Sequence, residues 1–132
     1  MEVSVGSGDK NHKMMEEILP SAKALRGEIP EVYKGFSELS KAAMADGVIP
    51  ATVKEALAIA ISVINRCDGC IASHARAAAI KGTTKEEVAE AIGVAILLSG
   101  GPGTVYGPRA YEAFLEYKAE YDAKRHQNTP QG

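Results

Sequence analysis

The chain has 132 residues, of which 45% are hydrophobic, and its formal net charge is -2 with a pI of about 5.9. This length is enough for one domain, over residues 1–132, with a single hydrophobic core. No basic patch or run of Lys and Arg stands out, which argues against nucleic acid as a main partner.

The N-terminal stretch MEVSVGSGDK lacks the apolar run of a signal peptide. The longest apolar stretch, from Ala56 to Ile61, is far too short to span a bilayer, so no membrane partner is expected. We therefore expect a soluble, cytoplasmic protein. In that compartment thiols stay reduced, and a close pair of cysteines is typical of a catalytic or metal-binding site.

Strand signals are weak and helical spacing recurs, so the sequence predicts an all-α fold. Taken in chain order, a first helix is predicted over 12–19, ahead of Pro20, and a weaker one over 21–25. Pro30 begins the third helix, which should end near Gly47 as a left-handed cap. Residues 1–10 and 126–132 are predicted to be disordered.

The fourth helix is predicted from about Thr52 to Asn65, with Thr52 and Glu55 as a possible capping box. Its middle, ALAIAISVI, is apolar on every side, which indicates burial all round.

The fifth helix is predicted over 70–81, with Gly82 as its cap. A capping box of Thr84 and Glu87 begins the sixth helix, which is also largely apolar and ends before the Gly-rich stretch 99–103. A last helix is predicted over 108–125. Two helices that are apolar on most sides are difficult to cover in a small monomer, so a homo-oligomer is expected.

The stretch CDGCIASH, residues 67–74, holds both cysteines of the chain. Asp68-Gly69 is a turn dipeptide that places Cys70 in the first turn of a helix, where the helix dipole favours a thiolate. The two-residue gap lets the sulfurs of Cys67 and Cys70 approach bonding distance. The alternative is two small buried residues at a helix–helix turn.

His74 follows Cys70 by four residues and shares its helix face, so its imidazole could take the thiol proton.

Glu55 precedes Cys67 by twelve residues, about 18 Å along one straight helix. If the chain then turns back, the axial gap to His74 closes to about 8 Å, which long side chains and one water could bridge. Spacing alone favours Glu55 as a helix cap; if buried instead, its pKa would be raised. A zinc site of Cys67, Cys70, His74 and Glu55 is a rival interpretation.

The combined pattern is Glu55, eleven residues, Cys67, two residues, Cys70, three residues and His74. It resembles the motif Glu-x11-Cys-x2-Cys-x3-His of the alkyl hydroperoxidase D-like branch of the carboxymuconolactone decarboxylase superfamily. All four positions match, and the resemblance covers roughly residues 30–118.

The resemblance implies an all-α bundle of about six to seven helices, assembled as homo-trimers or homo-hexamers. It implies a thiol-dependent peroxidase or disulfide oxidoreductase without metal, haem or flavin. Its substrate would be a small hydroperoxide, and its partner a thiol/disulfide reductant protein. The implied catalytic residues are Glu55, Cys67, Cys70 and His74: Glu55 acts through water on His74, His74 activates Cys70, and Cys67 closes the disulfide.

Two alternatives remain at this point. The chain could be a carboxymuconolactone decarboxylase-like lyase that acts on a lactone, or a non-redox member that binds a small molecule or a metal.

Asp68 stands between the cysteines, where some peroxidase members carry a second histidine, and its negative charge would disfavour a nearby thiolate.

Overall fold

The structure, a computed structural model, describes residues 9–128. In this range the chain forms six α-helices and no strand, which confirms the all-α prediction. The helices are α1 (Asp9–Glu28), α2 (Pro30–Met44), α3 (Ala51–Ile64), α4 (Asp68–Lys81), α5 (Lys85–Ser99) and α6 (Gly101–Gln127).

The hydrophobic core lies between α3, α4, α5 and α6. Its largest fully buried side chains include Phe114, Ile59, Ile71, Val63 and Val88. Most of the remaining core residues are alanines, which leave little side chain between the helices and allow close packing. The bundle of α3 to α6, with its packed core, therefore holds the Glu55, Cys67, Cys70 and His74 positions.

Glycine brings α5 and α6 together at their junction. A Cβ at Gly103 would lie 2.9 Å from the Ile96 Cα, and one at Gly107 would lie 2.9 Å from the Ile92 Cγ2. Only Gly100, with φ 68°, separates the two helices. The Gly-rich stretch 99–103 therefore contains the end of α5 and the closely packed start of α6.

Two prolines lie inside helices, contrary to the predicted boundaries. The first two predicted helices form one helix, α1, that runs through Pro20, and α6 begins at Gly101 instead of Pro108. Each proline lacks an N–H and so removes one helical hydrogen bond, a loss that the longer helices tolerate at these exposed positions.

The prediction that residues 1–10 and 126–132 are disordered is wrong at residues 9 and 10, which lie in α1, and at residues 126 and 127, which lie in α6. Residue 128 follows the end of α6, and the other residues of that prediction lie outside the described range.

The end of α2 differs from the prediction that Gly47 is a left-handed cap. The helix ends at Met44, and Gly47 is not among the described residues with positive φ. Lys54 instead reaches back from α3 and donates hydrogen bonds of 2.9 Å and 2.7 Å to the carbonyls of Ala43 and Ala45. A lysine ammonium thus satisfies backbone groups that a glycine cap would otherwise serve.

The two predicted capping boxes have different outcomes. Thr84 and Glu87 form a complete capping box at the start of α5, as predicted. The box of Thr52 and Glu55 is wrong, because α3 begins after Pro50 with no side-chain cap. Glu55 is free to turn inward as a result.

Large apolar side chains remain exposed on several helices of the single chain. α2 buries no residue, and Val32, Phe36 and Leu39 line one of its faces. The fourth predicted helix corresponds to α3, and its middle was expected to be buried on every side. That prediction is wrong for the single chain, because Leu57 and Ile61 are exposed. None of the six described helices combines the length and apolar character needed to cross a bilayer.

Candidate functional site

The cysteine pair lies in the connection between α3 and α4. Cys67 is the N-cap of α4, and its Sγ accepts a 3.3 Å hydrogen bond from the backbone N–H of Cys70. Cys67 and Cys70 form a disulfide, with their Cα atoms 5.3 Å apart. The helix begins at Asp68, two residues before the predicted start, so both sulfurs lie at the positive end of the α4 dipole.

The two cysteines differ in exposure. Cys70 is exposed, whereas Cys67 is half-buried where the chain leaves α3. The backbone N–H of Cys67 donates a hydrogen bond of 3.1 Å to the carbonyl of Ser62, and this bond stabilises the turn. A reagent in solution therefore has better access to Cys70.

Asp68, between the cysteines, is paired with a basic residue from α6. The Arg109 guanidinium lies 2.9 Å from the Asp68 carboxylate, and it also stacks over the Tyr106 ring at 4.9 Å. The negative charge that would disfavour a thiolate is thus offset by a positive charge held beside it. Nothing in the motif spacing indicated Arg109, because it comes from a helix distant in sequence.

A cavity of about 220 Å³ opens beside Asp68. It lies between the first turns of α1, the start of α4 and the middle of α6. Its walls are both polar and apolar, and they are formed by Asn11, Met14, Asp68, Ile71, Arg109, Glu112 and Glu116. One of the lining residues, Asp68, directly follows Cys67 in the sequence.

Glu55 and His74 are in direct contact. His74 Nδ1 lies 2.9 Å from Glu55 Oε2, so no water stands between them, contrary to the predicted water bridge. The contact arises because α3 and α4 run antiparallel across a short connection, which returns α4 past the first turns of α3. Glu55 is only 2% exposed.

A third residue, Lys81 in the last turn of α4, completes this cluster. Its Nζ donates a 2.6 Å hydrogen bond to Glu55 Oε1, so each carboxylate oxygen has its own partner. The sequence interpretation missed Lys81, although it follows His74 by seven residues, two helical turns, and so lies on the same face of α4.

The electrostatics of Glu55 differ from the prediction of a raised pKa. Burial acts to raise the pKa, but the hydrogen bonds from His74 and Lys81 and their positive charge outweigh it and lower the pKa below the ordinary value of 4.5. Glu55 is therefore an ionised carboxylate at neutral pH.

An ionised Glu55 fixes the histidine. A carboxylate can only accept hydrogen bonds. His74 Nδ1 therefore carries a proton and donates a hydrogen bond to Glu55 Oε2. The other ring nitrogen, Nε2, has no hydrogen-bond partner among residues 9–128 and is available to accept a proton. His74 and Cys70, four residues apart on α4, share one helix face.

The structure thus places the four predicted site residues in two contacting pairs, Cys67 with Cys70 and Glu55 with His74. The described residues contain no group of three or more His, Cys, Asp or Glu side chains arranged to hold a metal ion. The carboxylate oxygens of Glu55, which the zinc interpretation required, are engaged by His74 and Lys81.

Comparison with known proteins agrees with this architecture. The model of the carboxymuconolactone decarboxylase family matches residues 30–116. A crystal structure of an apo carboxymuconolactone decarboxylase family protein from Legionella pneumophila superimposes with a TM-score of 0.79. It is 36% identical in sequence, and the match covers 83% of this chain and 98% of that one.

Two curated relatives are also similar over most of their length. An uncharacterized protein of Cupriavidus necator is 36% identical over 100 residues, which is 76% of this chain and 88% of the relative. Uncharacterized protein 4 in the cox locus of Paracoccus denitrificans is 31% identical over 101 residues, 74% of this chain and 91% of the relative.

Proposed function

Because the chain belongs to the carboxymuconolactone decarboxylase family, we propose that it is a thiol-dependent peroxidase or disulfide oxidoreductase built on that fold. A small hydroperoxide would be its oxidising substrate, and a thiol/disulfide protein its reductant. The chemistry would use the cysteine pair and require no bound cofactor.

The observation that carries the proposal is the placement of the disulfide at the N-terminus of α4. Its exposed member, Cys70, shares a helix face with His74, whose Nδ1 is held by the buried Glu55. A dithiol that can close a disulfide, a base on the same face and a fixed tautomer of that base are the parts that thiol oxidation requires.

In the first step His74 Nε2 accepts the proton of the Cys70 thiol. The resulting thiolate attacks one oxygen of the hydroperoxide, the O–O bond breaks, and the sulfur is oxidised to a sulfenic acid. The departing alkoxide takes the proton from the imidazolium and leaves as an alcohol. The hydroperoxide has then gained two electrons from the Cys70 sulfur.

In the second step the Cys67 sulfur attacks the sulfenic acid sulfur of Cys70. The disulfide bond forms, the S–O bond breaks, and hydroxide leaves with the Cys67 proton as water. The N–H of Cys70 and the α4 dipole favour a thiolate at Cys67, which makes it a competent attacking group and later a good leaving group. A partner dithiol then reduces the disulfide by exchange, and becomes oxidised itself.

The test counts free thiols in the reduced protein after one equivalent of an organic hydroperoxide such as cumene hydroperoxide. We expect the loss of two thiols per chain, with one equivalent of alcohol formed. Cys70→Ser should abolish the reaction. Cys67→Ser should stop at the sulfenic acid, which dimedone traps at Cys70.

A wild-type protein that keeps both thiols in the presence of hydroperoxide contradicts the peroxidase proposal. If that protein nevertheless reduces an exposed disulfide of another protein with its Cys67–Cys70 dithiol, it is a disulfide oxidoreductase and not a peroxidase. An activity on a lactone that survives replacement of both cysteines would instead indicate lyase chemistry.

We also propose that the protein is a homo-oligomer, a trimer or a hexamer. Support comes from the apolar side chains left uncovered in the single chain on α2, α3 and α5. Phe36 is 70% exposed on α2, and Leu97 is 80% exposed on α5. Burial of such side chains between copies would stabilise the assembly by about 25 cal/mol for each Å² removed from water.

A further inference from the structure

The Glu55 carboxylate receives one hydrogen bond on each oxygen, both from α4. Lys81 Nζ donates to Oε1 at 2.6 Å, and His74 Nδ1 binds Oε2 at 2.9 Å. An ionised carboxylate that is 2% exposed is costly unless a positive charge contacts it. His74 and Lys81 are the charged or titratable groups of the described residues that act on it.

These two partners are not equivalent as sources of positive charge. The Lys81 ammonium lies at the end of α4, and its side chain is 35% exposed, so contact with water limits the cost of its charge. An imidazole side chain, unlike a lysine ammonium, can change its charge in the physiological pH range. With Lys81 in place, Glu55 already has its compensating charge, and the imidazole does not need to supply it. Without Lys81, His74 is the remaining group that could do so.

We propose that Lys81 is a positioning residue that compensates the charge of Glu55 and thereby keeps His74 neutral and free to accept the proton of the Cys70 thiol. This role rests on the proposed function, since it concerns the base for the same cysteine. The proton passes from Cys70 Sγ to His74 Nε2 while Lys81 keeps its own proton and Glu55 stays ionised. Lys81 touches Glu55 and none of the reacting atoms.

The test follows the titration of His74 by NMR in the reduced, full-length protein. The variants are Lys81→Met, which keeps the aliphatic side chain without the charge, and Lys81→Arg, which keeps the charge. Lys85→Met is the matched control, because Lys85 is an exposed lysine at the start of α5 that forms no ion pair among residues 9–128. The His74 signal is assigned by its absence in His74→Gln.

We expect the midpoint of the His74 titration to lie about one pH unit higher in Lys81→Met than in the wild type. Lys81→Arg and Lys85→Met should stay within a few tenths of a unit of the wild type. On the acid side of the pH profile, the rate of Cys70 alkylation by iodoacetamide falls around a midpoint pH. In Lys81→Met this midpoint should lie higher by the same amount. Should Lys81→Met not fold, as judged by circular dichroism, Lys81→Gln takes its place.

Equal midpoints in Lys81→Met and Lys85→Met would overturn the inference. Neither the NMR titration nor the alkylation requires turnover of a hydroperoxide. A shifted midpoint in a protein that does not react with hydroperoxide would therefore support the role of Lys81 while contradicting the peroxidase proposal. An unchanged midpoint in an active peroxidase would overturn the role of Lys81 alone.

Discussion

Arg109 lies 2.9 Å from Asp68, across the junction of α6 and the first turn of α4. Asp68 is one of the two residues between the cysteines, and an uncompensated carboxylate at that position would oppose thiolate formation on both sides. The guanidinium, from a helix distant in sequence, places a compensating positive charge beside Asp68, and it stacks on the Tyr106 ring. The ion pair thus places a positive charge from α6 beside the cysteine pair.

The Arg109–Asp68 pair leads to a prediction about thiol reactivity. Arg109→Met leaves Asp68 uncompensated, and alkylation of the reduced protein at pH 7 should slow by about two- to five-fold, as expected for a partly exposed ion pair. Asp68→Asn should not slow it. The double variant should return close to the rate of Asp68→Asn alone. An additive loss in the double variant would show that Arg109 acts on the thiols independently of Asp68.

The buried Glu55 should contribute to the stability of the fold. In Glu55→Gln the charge-assisted hydrogen bonds with His74 and Lys81 are weakened or lost, and we expect the free energy of unfolding to fall by about 1–3 kcal/mol. Urea denaturation measures this. Glu90→Gln, on the exposed surface of α5, is the matched control and should change stability by less than about 0.5 kcal/mol. Equal effects of the two variants would contradict the structural role of Glu55.

Acid should remove the contribution of Glu55. Its pKa in the folded protein is lower than the ordinary value of 4.5, because its two partners outweigh burial. A carboxyl group of this kind stabilises the fold fully above its unfolded pKa, and the contribution is lost as the pH falls from there through the folded pKa. The difference in unfolding free energy between the wild type and Glu55→Gln should therefore shrink as the pH falls below about 4.5. A difference that grows as the pH falls below 4.5 would contradict the lowered pKa.

The location of the site could be predicted from the sequence, but its contacts could not. If the chain turns back across the short connection, the axial gap between Glu55 and His74 closes to about 8 Å, although spacing alone favoured Glu55 as a helix cap. Whether a water separates them depends on the packing angle and distance of the helices, which no spacing encodes. Lys81 and Arg109 contact their partners through tertiary packing, so the local motif gave no signal for their roles.

Helix boundaries show the same limit. The pattern Thr-x-x-Glu occurs at 52–55 and at 84–87, yet only the second is a capping box. Glu55 is instead held in the interior by α4, a tertiary interaction that overrides the local preference. Gly82 is a left-handed cap as predicted, with φ 94°, whereas at Gly47 the Lys54 side chain makes such a cap unnecessary.

The close contact of α5 and α6 gives a prediction about packing. In Gly103→Ala the new Cβ would collide with the backbone of Ile96, at 2.9 Å, so the helices must move apart. We expect a loss of about 1–3 kcal/mol in the free energy of unfolding. Gly101→Ala, two residues earlier, meets no atom within 4 Å and should be neutral or stabilising by up to about 1 kcal/mol. Equal stability of the two variants would show that the junction can relax.

The exposed apolar face of α2 gives a prediction about assembly. Val32, Phe36 and Leu39 recur at helical spacing on one side of a helix that buries no residue in the single chain. If copies of the chain cover this face, Phe36→Asp places a charge in the interface and should dissociate the oligomer toward a single chain of 13.9 kDa, measured by light scattering after gel filtration. Lys34→Asp, on the opposite side of α2, is the control and should leave the mass of the wild-type oligomer unchanged. A wild-type protein that elutes as a 13.9 kDa monomer would contradict the proposed homo-oligomer. An oligomer that persists in Phe36→Asp would instead place the interface on the exposed apolar residues of α3 and α5.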